Sequence, residues 1–163
     1  MLLRRASLDD VPAILFLERL AEAQRYVGQW TEERHRATLT GTDARYYIAH
    51  AEDGSPAAYV ILRGLAETSG SLELKRLVVA QPGNGLGRRI LNEILRIAFE
   101  ELSAHRLFLD VYDDNARARH VYESLGFQYE GIMREAAQRD GIWHNLHLMS
   151  ILASEHTART TPQ

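Results

Sequence analysis

The sequence has no cysteine, which removes disulfides, thiolate nucleophiles and every cysteine-bearing zinc site. It has one lysine, Lys75, so 18 of its 19 basic residues are arginine. That excess fits either phosphate recognition, for which the guanidinium fork is suited, or a bias of codon usage, since the arginines are scattered. Positive charge is in short supply overall: 22 acids against 19 bases leave a formal charge of −3. With no basic block, the chain lacks the electrostatic footprint of a nucleic-acid binder. No apolar run reaches bilayer length, and Met1 to Asp10 lacks the long apolar stretch of a secretory signal. A cytoplasmic protein with no membrane partner is expected.

What is present suits one globular domain. A chain of 163 residues, 45% of them hydrophobic, can bury roughly 70% of its unfolded surface without a disulfide or metal. Residues 1–152 show no repeat or linker and read as the domain, and 153–163 read as a polar, unstructured tail. A strand at 2–6 leads to Ser7-Leu8-Asp9-Asp10, a capping-box-like start with Pro12 in the first turn. The helix it opens is expected to run through Ile14, Leu15 and Leu20 to about Gly28, with Thr31 capping a second. Strands are expected at 46–51, 57–65 and 72–80. A helix of about four turns follows from Leu86 to Leu102, and Leu107, Leu109 and Val111 alternate as a strand. Asn115 caps a short helix ended by Gly126, and strands at 127–134 and 142–152 flank the hairpin dipeptide Asp140-Gly141. This order predicts an α/β (α+β) fold: a mixed, mostly antiparallel sheet with helices on both faces and a splayed central pair of parallel strands.

Three segments carry chemistry. In Val79-Ala80-Gln81-Pro82-Gly83-Asn84-Gly85-Leu86-Gly87-Arg88, alternate glycines between a strand and a helix let backbone N–H groups converge where the helix N-terminus adds positive charge. Such a loop can cradle a phosphate or simply connect two elements. Arg88 sits where a dinucleotide fold wants glycine, and the lysine of a P-loop is missing. In Leu72-Glu73-Leu74-Lys75-Arg76-Leu77-Val78-Val79, apolar residues fall at 72 and 74, then at 77 and 79. The slip of one residue predicts a β-bulge near Lys75 and Arg76. Third is Asn115-Ala116-Arg117-Ala118-Arg119-His120-Val121-Tyr122-Glu123-Ser124-Leu125-Gly126-Phe127.

Together these segments resemble the GNAT superfamily of acyl-CoA-dependent N-acetyltransferases, whose pyrophosphate loop has the form Gln/Arg-Gly-x-Gly-x-Gly/Ala and is followed, about thirty residues on, by Asn and a Tyr-x-x-x-Gly-Phe ending. The likeness is carried by residues 71–134. Pro82 departs from the family's usual glutamine or arginine. The resemblance implies acetyl-CoA as cosubstrate and no metal, with Gly83, Asn84, Gly85, Leu86, Gly87 and Arg88 at its pyrophosphate. The main chain of Leu77, Val78 and Val79 would pair with pantetheine in the manner of an added strand, and Asn115 would touch the cofactor. It further implies Tyr122 as the group that protonates or hydrogen-bonds the leaving thiolate, and Glu73 as a general base acting through water. Glu73 also reads as a surface carboxylate paired with Lys75 or Arg76, and Tyr122 as a packed ring. Arg89, Arg117 and Arg119 flank the two helix starts. His144 and His147, three apart in a strand, fall on opposite faces and make no metal pair.

Acetylation needs a neutral amine. At pH 7 a polyamine-like nitrogen of pKa ~10.4 gives up about 4.6 kcal/mol to lose its proton and an α-amine about 1.4 kcal/mol, so a base serves the first far more than the second. The ending Glu130-Gly131-Ile132-Met133-Arg134 and Asp140-Gly141-Ile142-Trp143-His144 resembles both the branch that acetylates ribosomal-protein N-termini and the branch of amino-acid acetylating resistance enzymes. That resemblance leaves small amines, amino acids and protein N-termini open as acceptors and implies Tyr26, Trp30 and Glu33 as candidate lining. With no cysteine to carry the acetyl group, direct attack in a ternary complex is expected. The alternative is a noncatalytic acyl-CoA sensor. The resemblance also implies a possible homodimer through the C-terminal strands.

Overall fold

The computed structural model describes residues 3–160. Contacts divide the chain into two compact units, Met1–Ser69 with Leu74–Glu93, and Gly70–Glu73 with Ile94–Gln163. No described helix is long and apolar enough to cross a membrane.

The first unit opens with β1 (Leu3–Arg5), paired antiparallel with β2 (Ala44–His50), which pairs in turn with β3 (Pro56–Arg63). Leu2, assigned by sequence to the first strand, lies outside the described residues. Ser7 and Asp10 form the expected start: the Ser7 amide donates to Asp10 Oδ2 at 2.7 Å, ahead of α1 (Val11–Glu18). The helix expected to reach Gly28 instead stops at Glu18. Leu20 turns to φ −63°, ψ 138°, and α2 (Ala21–Tyr26) starts afresh. The break lets Leu20, Ala23 and Val27 pack on the same cluster as Ile14 and Leu17 of α1, together with Tyr46, Ile48, Tyr59, Ile61 and Val78 of the strands. One straight helix could not point all of them inward. Thr31 caps α3 (Glu32–Thr40) as expected, accepting from the Arg34 amide at 3.2 Å.

β4 (Ser71–Val79) belongs to both units. Its first residues run parallel to β5 (Arg106–Tyr112) in the register Ser71↔Arg106, Leu72↔Leu107 and Glu73↔Phe108. The sheet order is β1-β2-β3-β4-β5-β7-β6, with β4 and β5 a parallel pair. α4 (Leu86–Arg96) continues into a π-helical turn at Ile97–Glu101, so the expected four-turn helix is present with a changed last turn.

In the second unit, Leu107, Leu109 and Val111 of β5 are buried while their neighbours are not, which is the alternation read from the sequence. α5 (Ala116–Ser124) begins at Asn115 and ends in Gly126 at φ 94°, where the Phe127 amide reaches back to the Tyr122 carbonyl at 3.1 Å. β6 (Gln128–Arg139) and β7 (Ile142–Leu152) form a long hairpin. Asp140 and Gly141 both take positive φ, 52° and 75°, as a two-residue primed turn requires. The stretch 153–163, read as an unstructured tail, forms α6 (Ala153–Thr160), and 161–163 lie outside the described residues. Glu155 holds α6 in place through Leu152 N at 2.9 Å and the Gln128 side chain at 2.5 Å.

Candidate active site

The glycine loop joins β4 to α4 within the first unit. Gly83 (φ 96°) and Gly85 (φ 79°) hold left-handed conformations with no atom within 4 Å of where a Cβ would stand, so it is the backbone angle rather than crowding that calls for glycine. Gly87 has an ordinary φ, and a Cβ there would meet Val79 Cγ1 at 3.9 Å, so the loop folds back over the end of β4. Asn84 Oδ1 accepts from the Leu86 amide at 3.0 Å, turning its side chain into the cap of α4. Leu86 and Val78 are buried, so only their main chains can meet a ligand. Arg88 is exposed at the start of α4. Arg89 turns elsewhere, lining an open cavity of about 800 Å³ with Glu52, Asp53 and Glu93. The exposed backbone of Gly83, Asn84 and Gly85, a helix N-terminus and Arg88 form a surface suited to an anion.

The slip expected in β4 is absent. Leu72, Leu74, Arg76 and Val78 are all buried and the residues between them are half-buried, so the period of two runs unbroken through position 79. Arg76 occupies an inward place that the sequence pattern reserves for an apolar side chain. It can do so because Glu18, at the end of α1, is buried beside it and accepts from Arg76 Nη1. The same Glu18 Oε1 accepts from the Tyr59 hydroxyl at 2.5 Å and lies 3.1 Å from His35 Nε2, while its Oε2 takes the Trp30 amide at 3.3 Å. His35 Nδ1 lies 3.1 Å from the Tyr46 hydroxyl, and the Arg76 and Arg34 guanidinium groups both lie over the Trp30 ring, 4.2 and 3.9 Å from its centroid. Desolvation acts to raise the Glu18 pKa, but the bonds from His35 and Tyr59 and the Arg76 charge overcome it and leave the carboxyl below its ordinary value. Burial pushes the Tyr46 hydroxyl up to about 12 and that of Tyr59 well above its usual range. Sequence reading missed this network. The available signals were one charged residue closing an apolar helix and one arginine in phase with the buried face of β4.

In the second unit, Glu73 is half-buried in the register opposite Phe108. Asn115 Oδ1 accepts from the Ala118 amide at 3.2 Å, which fulfils its capping role. Tyr122 is on α5 with its ring 5.6 Å from that of Phe127. Burial, with a smaller contribution from the Asp110 charge, pushes its hydroxyl up to about 12, so it stays protonated at neutral pH. Arg119 Nη1 approaches His147 Nδ1 at 3.3 Å, directing that arginine toward β7. His144 and His147 have different surroundings, as their strand spacing requires: His144 packs its ring on Tyr112, and His147 on Tyr129. Asp113, Asp114 and His144 bring three possible ligand atoms within 4.8 Å of one another, a grouping that sequence spacing did not reveal. Asp114 is at the same time bonded by Arg139 at 2.8 Å.

Of the residues proposed to line an acceptor, Trp30 packs with His35 in the core network. Glu33 lines a shallow groove of about 620 Å³ with Leu8 and Arg36, and Arg25 lies over the Tyr26 ring.

Known proteins extend this picture. The family model described as "Acetyltransferase (GNAT) family" matches residues 14–127. The spermidine N(1)-acetyltransferase of Vibrio cholerae is 25% identical over 158 residues, 89% of this chain and 90% of that one. The N-alpha-acetyltransferase RimI of Mycobacterium tuberculosis is 30% identical over 118 residues, 69% of this chain and 72% of its own. Among solved structures, the Vibrio cholerae spermidine N-acetyltransferase in complex with CoA and spermine superposes with a TM-score of 0.86 at 24% identity, over 96% of this chain and 97% of that one.

Proposed function

Because the chain belongs to the GNAT family of acetyltransferases and is an N-acetyltransferase, we propose that it moves the acetyl group of acetyl-CoA to a small polyamine by direct attack in a ternary complex. The observation that carries this reading is the glycine loop opening α4, with left-handed Gly83 and Gly85 on an exposed stretch of backbone, in a chain whose near full-length relatives include spermidine N(1)-acetyltransferases.

In the proposed reaction the neutral amine's lone pair attacks the thioester carbonyl carbon. The C–S bond breaks, the sulfur leaves as thiolate, and the amine nitrogen loses one proton. Amides of the segment Gly83–Arg88, apart from that of Leu86, which donates to Asn84 Oδ1, and the Arg88 guanidinium hold the pyrophosphate, and the main chain of Leu77, Val78 and Val79 holds the pantetheine amides. Asn115 adds a contact to the cofactor. Glu73 takes the amine proton through a water. Tyr122 serves as hydrogen-bond donor to the departing sulfur. With its hydroxyl at about 12 and a thiol at ~8.5, complete proton transfer from phenol to thiolate is uphill by about 5 kcal/mol, so donation without transfer is the favoured role. Expelling a thiolate needs stabilisation more than protonation.

The similarity to RimI supports a second acceptor, an α-amine at a protein N-terminus. Its lower deprotonation cost makes it less dependent on Glu73. The test is release of CoA thiol by the full chain with acetyl-CoA and a panel of spermidine, free amino acids and N-terminal peptides. The highest kcat/KM is expected on spermidine. A preference for peptides replaces the acceptor, and acetyl-CoA binding without release on any amine replaces the enzyme by a sensor.

A further inference from the structure

Glu18 and Arg76 are buried charges that the proposed reaction does not consume. Removing two ions from water costs several kcal/mol each, and an apolar pair of similar volume is often at least as stable, so stability alone is a weak reason for such a pair. Its connections suggest another. Through Glu18 the network joins α1 to α3 by His35, to β3 by Tyr59, to β4 by Arg76 and to the approach to α3 by the Trp30 amide; Tyr46 of β2 closes the far side of His35. Arg76 immediately precedes Leu77, Val78 and Val79. Its guanidinium is pinned at one edge by a carboxylate and across its face by the Trp30 ring at 4.2 Å. A planar fork held in that way fixes rotation and translation of its strand, whereas apolar contacts are non-directional.

We propose that Glu18 is a positioning residue for acetyl transfer, acting through Arg76 to fix the β4 main chain that receives acetyl-CoA. The inference rests on the reading of residues 77–79 given above. Losing two main-chain hydrogen bonds to the cofactor is enough to weaken binding by about one to two orders of magnitude. Glu18→Gln keeps the shape of the side chain and leaves Arg76 without a counter-charge. Glu18→Gln combined with Arg76→Met removes both charges and keeps a side-chain oxygen to accept from the Tyr59 hydroxyl.

The test measures the dissociation constant for acetyl-CoA by calorimetry, and the thermal midpoint, on the full chain and both variants. Glu18→Gln is expected to weaken acetyl-CoA binding about 10- to 100-fold and to raise KM for acetyl-CoA by a similar factor. The double variant is expected to recover the thermal midpoint without recovering affinity, and it decides the matter if Glu18→Gln does not fold. Wild-type affinity in the folded double variant overturns the positioning role and leaves the acetyltransferase reading intact. Failure of the unmutated chain to bind acetyl-CoA overturns both.

Discussion

Two carboxylate–arginine pairs, one in each unit, show how differently the same chemistry is used. Glu18 and Arg76 have side-chain exposures of 1% and 6%, and the surrounding Tyr59, His35 and Trp30 supply the hydrogen bonds and stacking that water would have provided. Arg106 and Glu130 lie at a strand rim with exposures of 25% and 37%, bonded at 2.9 and 2.8 Å with Ser71 and Ser150 as further partners. The rim pair competes with solvent at every moment and its charges survive separation. The interior pair has no such alternative, so each of its members exists only on condition of the other. Burial, more than bond length, sets what an ion pair does.

Breaking one member of each pair is the sharpest way to attack that contrast. Glu18→Ala is expected to destabilise the chain by about 3–5 kcal/mol, because it strands the Arg76 guanidinium in the core; urea unfolding followed by circular dichroism measures it. A loss below about 1 kcal/mol would place the pair in the same class as the rim. An intermediate case is Arg4 with Asp10, exposures 48% and 9%, bonded at 2.6 Å. The Arg4 bond is the main reason the Asp10 carboxyl is held down at about 2, with the Ser7 amide assisting. A folded value below the unfolded ~3.9 means stability that is complete above pH ~5 and lost as pH falls toward 2. Discounted for the exposure of Arg4, the loss should be roughly 1 kcal/mol. The urea midpoint should therefore hold from pH 7 to 5 and fall below 4, and Asp10→Asn should flatten that fall. Smallest is Arg106→Met, expected to cost less than about 1 kcal/mol and to lose most of its effect in high salt, by the same urea assay.

The legible parts of the molecule were those in which a local pattern decides the structure. Ser7 and Asp10, Thr31, Asn115, Gly126 and Asp140-Gly141 act within four residues of themselves, and all of them stand where their chemistry assigns them. The alternation of Leu107, Leu109 and Val111 gave β5 for the same reason. What escaped was set by partners far along the chain. Arg76 looked like a break in period because its inward position depends on Glu18, 58 residues earlier. The stop at Glu18 and the restart at Ala21 follow from the packing of Leu20, Ala23 and Val27, which local helix propensity cannot foresee. Likewise α6 looked like a polar tail because its anchors, Glu155 to Gln128 and Arg159 to Ser124, are long-range polar contacts rather than an apolar stripe. For the site, glycine spacing located the loop before α4, and the Tyr-x-x-x-Gly-Phe ending located the α5 tyrosine. The buried network behind β4 carried no motif.

The most direct single measurement is the initial rate of CoA-thiol release on the best amine acceptor, comparing the full chain with Tyr122→Phe. The substitution removes one hydroxyl and keeps the ring against Phe127. A donor that acts only as charge develops on sulfur is expected to lower kcat about 100-fold with little change in KM for acetyl-CoA. An unchanged kcat would contradict the account.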